Sequence, residues 1–208
     1  MWRRTAACLV AALTLVVSGS TACAQTNYKS QLGTVSQQVM DTRIDVRYRR
    51  PVARGREIFG ALVPWGRIWT PSADSAALLT VSSPITVNGE QLPAGSYGIW
   101  AIPDSASWTI IFSGKPAAFH LRYPEGQDVL RVQAKPMKGD YVETLLFDFP
   151  MVDADSARLE LHWGNTVVPL MLRVGSEGAR RADGPDHQQS VARGTAACGR
   201  LAMSERHR

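Results

Sequence analysis

Apolar side chains in this chain return at every second position, segment after segment, and no run of ten or more residues carries them at helical spacing. A period of two puts alternate residues on opposite faces of an extended strand. In RIDVRYR, residues 43–49, Ile44, Val46 and Tyr48 share one face and Arg43, Asp45, Arg47 and Arg49 the other. The arginines therefore read first as the solvated face of a half-buried strand, with an anionic-ligand or membrane-surface patch as the alternative. ALLTVS (77–82), DVLRVQA (128–134), VETLLFDF (142–149), ARLELHW (157–163) and TVVPLMLRV (166–174) add further strands. Pro169 marks the last of these as an edge or a bulge, because proline donates nothing to a ladder. PITVNGEQL (84–92) reads as a hairpin on Asn88-Gly89, a pair suited to the positive φ values of a type I′ turn. SYGIWAI (96–102) and SWTIIFS (107–113) are apolar on both faces and predict a central hairpin covered on both sides. About nine short strands joined by turn-rich links predict an all-β fold, an antiparallel β-sandwich of jelly-roll-like type.

The two ends differ from this body. Arg3 and Arg4 precede an apolar run over residues 5–17, and the small residues SGSTACAQ follow, which is the layout of a secretory signal peptide over residues 1–24. Ala22-Cys23-Ala24 suits cleavage before Gln25; Ser20-Thr21-Ala22-Cys23 is an imperfect lipobox that would instead leave a lipidated Cys23. Residues 25–36 read as a linker and 37–174 as the sandwich domain. From residue 175 onward there is no aromatic residue and little branched aliphatic, so residues 175–208 read as a disordered basic tail. Cys8 leaves with the signal and Cys23 is lost or lipidated, so Cys198 stands alone and the mature chain has no internal disulfide to form. Burial alone must hold the domain. Residues 25–174 carry fifteen Lys and Arg against fourteen Asp and Glu. That near balance gives no ground for nucleic-acid binding.

One stretch interrupts the strand pattern: GREIFGALVPWGRIWTPSADSA, residues 55–76. Trp65 and Trp69 flank Gly66 between two prolines, and Asp74 follows. The segment reads as a corner that walls one end of the sandwich, with Trp65 and Trp69 as a plug or a stacking surface for a sugar-like ligand and Asp74 as a turn former or a polar anchor. A second irregular loop, AAFHLRYPEGQD, brings His120, Tyr123 and Asp128 together. Loops of a sandwich gather at its ends, so Trp65, Trp69, Asp74, His120, Tyr123 and Asp128 form the candidate ligand-binding set. Trp108 and Trp163 alternate with core residues and read as packing, and His162 as solvent-facing. No catalytic fingerprint, nucleotide loop or paired-cysteine motif occurs in the body, and no metal or other cofactor is expected.

GREIFGALVPWGRIW, TVNGEQLPAGSYGIWAIP, WTIIFS, YPEGQDVLRV and LELHWGNTVVPLMLRV, in that order, resemble the bacterial family called domain of unknown function 2911 over residues 37–174. The resemblance implies a secreted or lipid-anchored β-rich domain and no assigned reaction. This chain departs from the family pattern at Asp74, where an asparagine is common, and at Ser75, where a glutamate is common. The departure weakens any shared acid-base chemistry.

These readings converge on an exported envelope protein that binds a small ligand, a glycan or an envelope protein without catalysis, touching membrane only through an anchor at Cys23. A carbohydrate-active enzyme using Asp74, Glu125 and Asp128, and a purely structural envelope protein, are the rivals. Removing residues 175–208 is expected to leave the fold intact. Melting curves of the chain with and without the tail should agree within about 5 °C, on the order of 1 kcal/mol for a domain of this size; a larger drop would mean that the tail packs.

Overall fold

A computed structural model describes residues 29–116 and 118–175; the segment read as a signal, with Cys23, and residues 176–208 lie outside it. The described residues form ten strands and no helix: β1 (Gln31–Val39), β2 (Thr42–Arg50), β3 (Ala77–Val81), β4 (Ile85–Val87), β5 (Glu90–Leu92), β6 (Gly95–Ile102), β7 (Trp108–Ser113), β8 (Asp128–Ala134), β9 (Met137–Val152) and β10 (Ser156–Val174). They make two antiparallel sheets, one in the order β1-β2-β3-β6-β7-β8 and one in the order β5-β4-β10-β9. The fold is the all-β sandwich that the alternation predicts.

The alternation also decides what lies inside. Ile44, Val46 and Tyr48 of β2, Leu79 of β3, Ile99 of β6 and Phe112 of β7 meet Leu145, Leu159, Leu161 and Leu172 of the second sheet in one core. Each large apolar side chain removed from water in this way contributes about 1.5–3 kcal/mol. Polar groups tie the sheets together at the margins. Phe147 donates its backbone N–H to the Tyr48 hydroxyl at 2.9 Å, and the two rings meet edge to face at 4.8 Å. At the hairpin of β4 and β5, Asn88 and Gly89 have φ of 50° and 92°, as a type I′ turn demands. The Asn88 side chain then spans both sheets, accepting from Met171 N at 2.8 Å and donating to Gln133 O at 2.7 Å.

Three features differ from the sequence reading. β1 begins at Gln31, inside the stretch read as linker, because QLGTVSQQV packs only half of one face and shows little apolar alternation. It nevertheless pairs with β2 along its whole length. The two strands expected at 157–163 and 166–174 are one strand, β10, which keeps its course by bulging at Gly164, φ 59°. The positive φ favours glycine there, and a Cβ on Gly164 would also stand 2.8 Å from Ile58 Cδ1, so that the end of the Ile58 side chain would have to shift. Pro169 sits where β10 changes partner, between the last pair with β9 at Val167 and the first with β4 at Leu172. No ladder bond is lost to the proline at that point.

The hairpin of β6 and β7 is covered on both sides, as its sequence predicts. Inward, Ile99, Ala101, Ile110 and Phe112 enter the main core. Outward, Trp100 and Ile111 pack with Ala76 and Ala118, and Ile102 and Tyr123 complete a small second cluster. Trp108 is wholly buried against Phe59, ring centroids 4.8 Å apart. His162, by contrast, turns outward to the Asp140 carbonyl at 2.8 Å. Trp108→Ala should therefore cost roughly 3–5 kcal/mol, and His162→Ala no more than about 0.5 kcal/mol. Urea unfolding midpoints of the two variants would check this, and equal losses would contradict the assignment of faces.

Candidate functional site

After β2 the chain crosses to the second sheet and then forms a compact corner. Val63 N bonds Ile58 O at 2.7 Å, Gly60 N bonds Val63 O at 2.9 Å, and Gly66 N bonds Pro103 O at 2.8 Å. Trp69 rejoins the first sheet by a reciprocal pair of bonds with Ala101, at 2.8 and 2.7 Å. Because Ala101 faces inward, so does the Trp69 ring. It stacks on Trp163 at 6.1 Å and meets Trp108 at 6.4 Å, closing one end of the sandwich. Trp65 is different. Its indole lies over Gly60, whose added Cβ would come within 2.7 Å of Nε1, and its centroid is 6.1 Å from that of Phe59. The ring remains 46% exposed.

Residues 70–76 leave the sheet on its outer side. Thr70 anchors the departure, its buried hydroxyl donating to Ile99 O at 2.7 Å and accepting from Ala77 N at 3.1 Å. Asp74 serves the turn through its backbone, with φ of 66°, a conformation that Asp tolerates better than most residues. Its carboxylate is exposed and bonds to no described residue. The returning segment pairs with the 118–120 stretch: Ala76 N bonds Ala118 O at 2.9 Å, Ser75 bridges Phe119, and His120 N lies 3.4 Å from Asp74 O. Asp74 and His120 are therefore neighbours. The His120 ring meets that of Phe119 edge to face at 4.7 Å.

A polar latch holds the rest of this loop. The Tyr123 hydroxyl donates to Asp128 Oδ1, and Arg131 donates from Nε to Asp128 Oδ2 at 2.7 Å and from Nη2 to the Tyr123 oxygen at 3.2 Å. The Tyr123 ring meets Trp100 edge to face at 5.2 Å. Burial first, and then the bond to Asp128, pushes the Tyr123 phenol up to about 12. The tyrosine stays a donor at neutral pH. Any stability it lends is complete below its ordinary value of 10.0 and is lost as pH climbs toward 12. Asp128, committed to Tyr123 and Arg131, is a structural carboxylate.

The six residues singled out from the sequence thus fall into two groups separated by the first sheet. Trp65 and Trp69 belong to the end of the sandwich, whereas Asp74, His120, Tyr123 and Asp128 lie on the sheet's outer side. The reason is the pleat: Ala101 beside Trp69 points in, and Trp100 beneath Tyr123 points out. Among the described residues, no three His, Cys, Asp or Glu side chains gather as metal ligands would.

On that same outer side, next to Ser75, lies a groove of about 370 Å³. Leu32 of β1 and Leu78 of β3 give it apolar surface; Arg47 and Arg49 of β2, Ser75 and Ser96 give it polar surface. Ser96 is held by a 3.0 Å bond to the Thr80 hydroxyl. The neighbouring Arg43 is neutralised by Asp45 at 2.9 Å. The backbone of Arg47 belongs to the ladder with Leu78 of β3, but its guanidinium makes no hydrogen bond or ion pair with any described residue. Sequence reasoning put these arginines first as a solvated face and only second as an anionic-ligand or membrane-surface patch. The available signal was their spacing, since residues two apart on a strand project side by side. A broader concavity of about 1000 Å³ lies at the other end of the strands, between Met40, Asn88 and Arg173, where Arg173 faces Asp155 at 3.6 Å.

Comparison with known proteins adds a family and no more. A search of curated proteins and a search of solved structures each returned no significant match. The family model described as protein of unknown function (DUF2911) matches residues 30–172, from the start of β1 to near the end of β10. With well over half of its length matched, the chain belongs to the DUF2911 family.

Proposed function

We propose that this domain is an exported, non-catalytic binding module that takes a small anionic ligand in the groove over β1, β2, β3 and β6. Export rests on the basic, apolar and small-residue order of residues 1–24, and retention at the envelope on Cys23 if the lipobox is used. The observation that carries the ligand is Arg47, an arginine beside Arg49 in a groove, with no acidic partner among the described residues. A guanidinium offers a planar fork of donors that fits carboxylate or phosphate, and such charge-assisted bonds contribute about 1.5–3 kcal/mol. Leu32 and Leu78 select a ligand with an apolar part next to its charge. The volume falls near the lower end of the range of roughly 300–1000 Å³ usual for small-molecule sites. The groove's polar groups are suited to holding an anion rather than to acid-base chemistry; Asp74, in the loop that supplies Ser75, and His120, on the stretch paired with that loop, stand close by.

Hexyl phosphate is a suitable probe, with hexanol as the uncharged control. Hexyl phosphate should bind in calorimetry, and Arg47→Ala should weaken it about tenfold, the equivalent of roughly 1.4 kcal/mol, without lowering the melting temperature. Equal binding of hexanol, or an Arg47→Ala variant that binds as well as the parent, would defeat the proposal.

A second reading, a glycan platform, is favoured by Trp65, whose half-exposed indole is seated on Gly60 and backed by Phe59. Titration with chitotriose should then shift tryptophan fluorescence, and Trp65→Ala should abolish the shift. A shift that survives Trp65→Ala would reject this platform.

A further inference from the structure

Two sheets leave four edges, and an open edge invites another strand to pair with it. Three of these edges are blunted. β5 has only three residues. β9 is broken by register shifts and partly covered by residues 51–53, with Leu145 N bonding Pro51 O at 3.0 Å and Ala53 N bonding Glu143 O at 2.9 Å. β8 carries the charges of Asp128 and Arg131, and its Gln133 carbonyl accepts from Asn88. Among the described residues nothing protects β1 in this way: QLGTVSQQV contains no charge and no proline, and its nine residues pair with β2 without a bulge.

Bonds on the far side of β2 tell which β1 groups face outward. The Arg43 carbonyl accepts from Ser82 N at 3.0 Å, and Arg49 N donates to Ser72 Oγ at 2.9 Å. Odd-numbered residues of β2 therefore turn their backbone groups toward β3 and away from β1, and even-numbered ones turn theirs toward β1. The β1 partners of Ile44, Val46 and Tyr48 are Gln37, Val35 and Gly33, so these hold the ladder. Leu32, Thr34, Ser36 and Gln38 consequently aim N–H and C=O away from the sheet. The Gln38 carbonyl is met by Gln37 Nε2 at 2.8 Å, whereas no described residue pairs with the backbone of Leu32, Thr34 or Ser36 on that side.

We propose that β1 pairs antiparallel with β1 of a second copy of this chain, about a two-fold axis at Thr34. In that register Thr34 faces Thr34 and Leu32 faces Ser36, so every outward group left unmatched finds a partner. Cross-strand threonine pairs are favourable, and no like charges meet, because β1 has none. The contact is isologous and consumes the edge, so assembly stops at a dimer in which the two six-stranded sheets become continuous. This pairing is independent of the anion groove: it uses the backbone of Leu32, not the side chain.

Sedimentation velocity of the purified protein over a range of concentrations tests it. A monomer–dimer equilibrium is expected. Thr34→Pro removes an outward N–H without touching a β1–β2 bond, and Thr34→Lys sets two ammonium groups face to face on the axis. Both variants should be monomeric, with the circular dichroism of the parent; Thr34→Lys, whose ammonium also stands opposite Arg47 on β2, should melt slightly lower. Thr34→Lys keeps the test open should the proline disturb folding. A parent that stays monomeric at all concentrations, or a dimer that survives Thr34→Lys, overturns the proposal.

Discussion

The hairpin of β6 and β7 is apolar on both faces, and this double burial joins the sandwich core to the outer loops. Ile99, Ala101, Ile110 and Phe112 enter the main core, while Trp100 and Ile111 support a second, smaller cluster under the 70–76 and 118–123 segments. With no disulfide available to the body, both loops depend on that outer cluster and a few backbone bonds, and the second also on the latch of Tyr123, Asp128 and Arg131. The Thr70 hydroxyl, bonded to Ile99 O and Ala77 N, fixes where the first loop leaves the sheet. Ser75 therefore reaches the groove by a chain of contacts that starts at the hairpin.

Much of this was legible in the sequence, because alternation reports burial directly. β2, β3, β8 and the Asn88-Gly89 hairpin stand where their patterns put them. β1 was illegible for the same reason. A strand that buries only part of one face needs few apolar residues, so its polar sequence resembles a linker. β10 looked like two strands because Gly164 is ordinarily a breaker, and only the packing of Ile58 against it explains its place inside one strand. The two irregular loops were legible as breaks in the strand pattern, and of the six residues chosen on them Asp74 and His120 do adjoin. That Trp69 would turn into the core while Tyr123 packed outside depended on the phase of Trp69 relative to Ala101, which no local pattern encodes. The groove was missed because its lining is drawn from four strands and a loop far apart in sequence.

The charge of the groove is likewise a matter of arrangement rather than composition. The body is nearly neutral, and most of its basic groups near acids are already matched: Arg43 with Asp45, Arg131 with Asp128, Arg158 with Glu160 at 2.8 Å. The two more exposed pairs, Arg43–Asp45 and Arg131–Asp128, contribute little to stability, typically below about 1 kcal/mol. Their larger effect is to cancel field. Asp45 is matched to Arg43, which leaves Arg47, with no acidic partner among the described residues, as the charge facing the groove between Leu32 and Leu78.

β2 therefore separates three tasks by the parity of its residues. Side chains of Ile44, Val46 and Tyr48 build the core; those of Arg47 and Arg49 face the groove; the backbone groups of the first three hold β1 in place as an edge. Trimming a guanidinium leaves the ladder and the core untouched, because neither uses it. Shortening Val46 would instead loosen the core beneath both outer features, since the strand that presents the arginines is also the one that carries β1. Changes to Arg47 thus report on ligand alone, changes to the outward backbone of β1 on pairing alone, and the inward face of β2 couples the two.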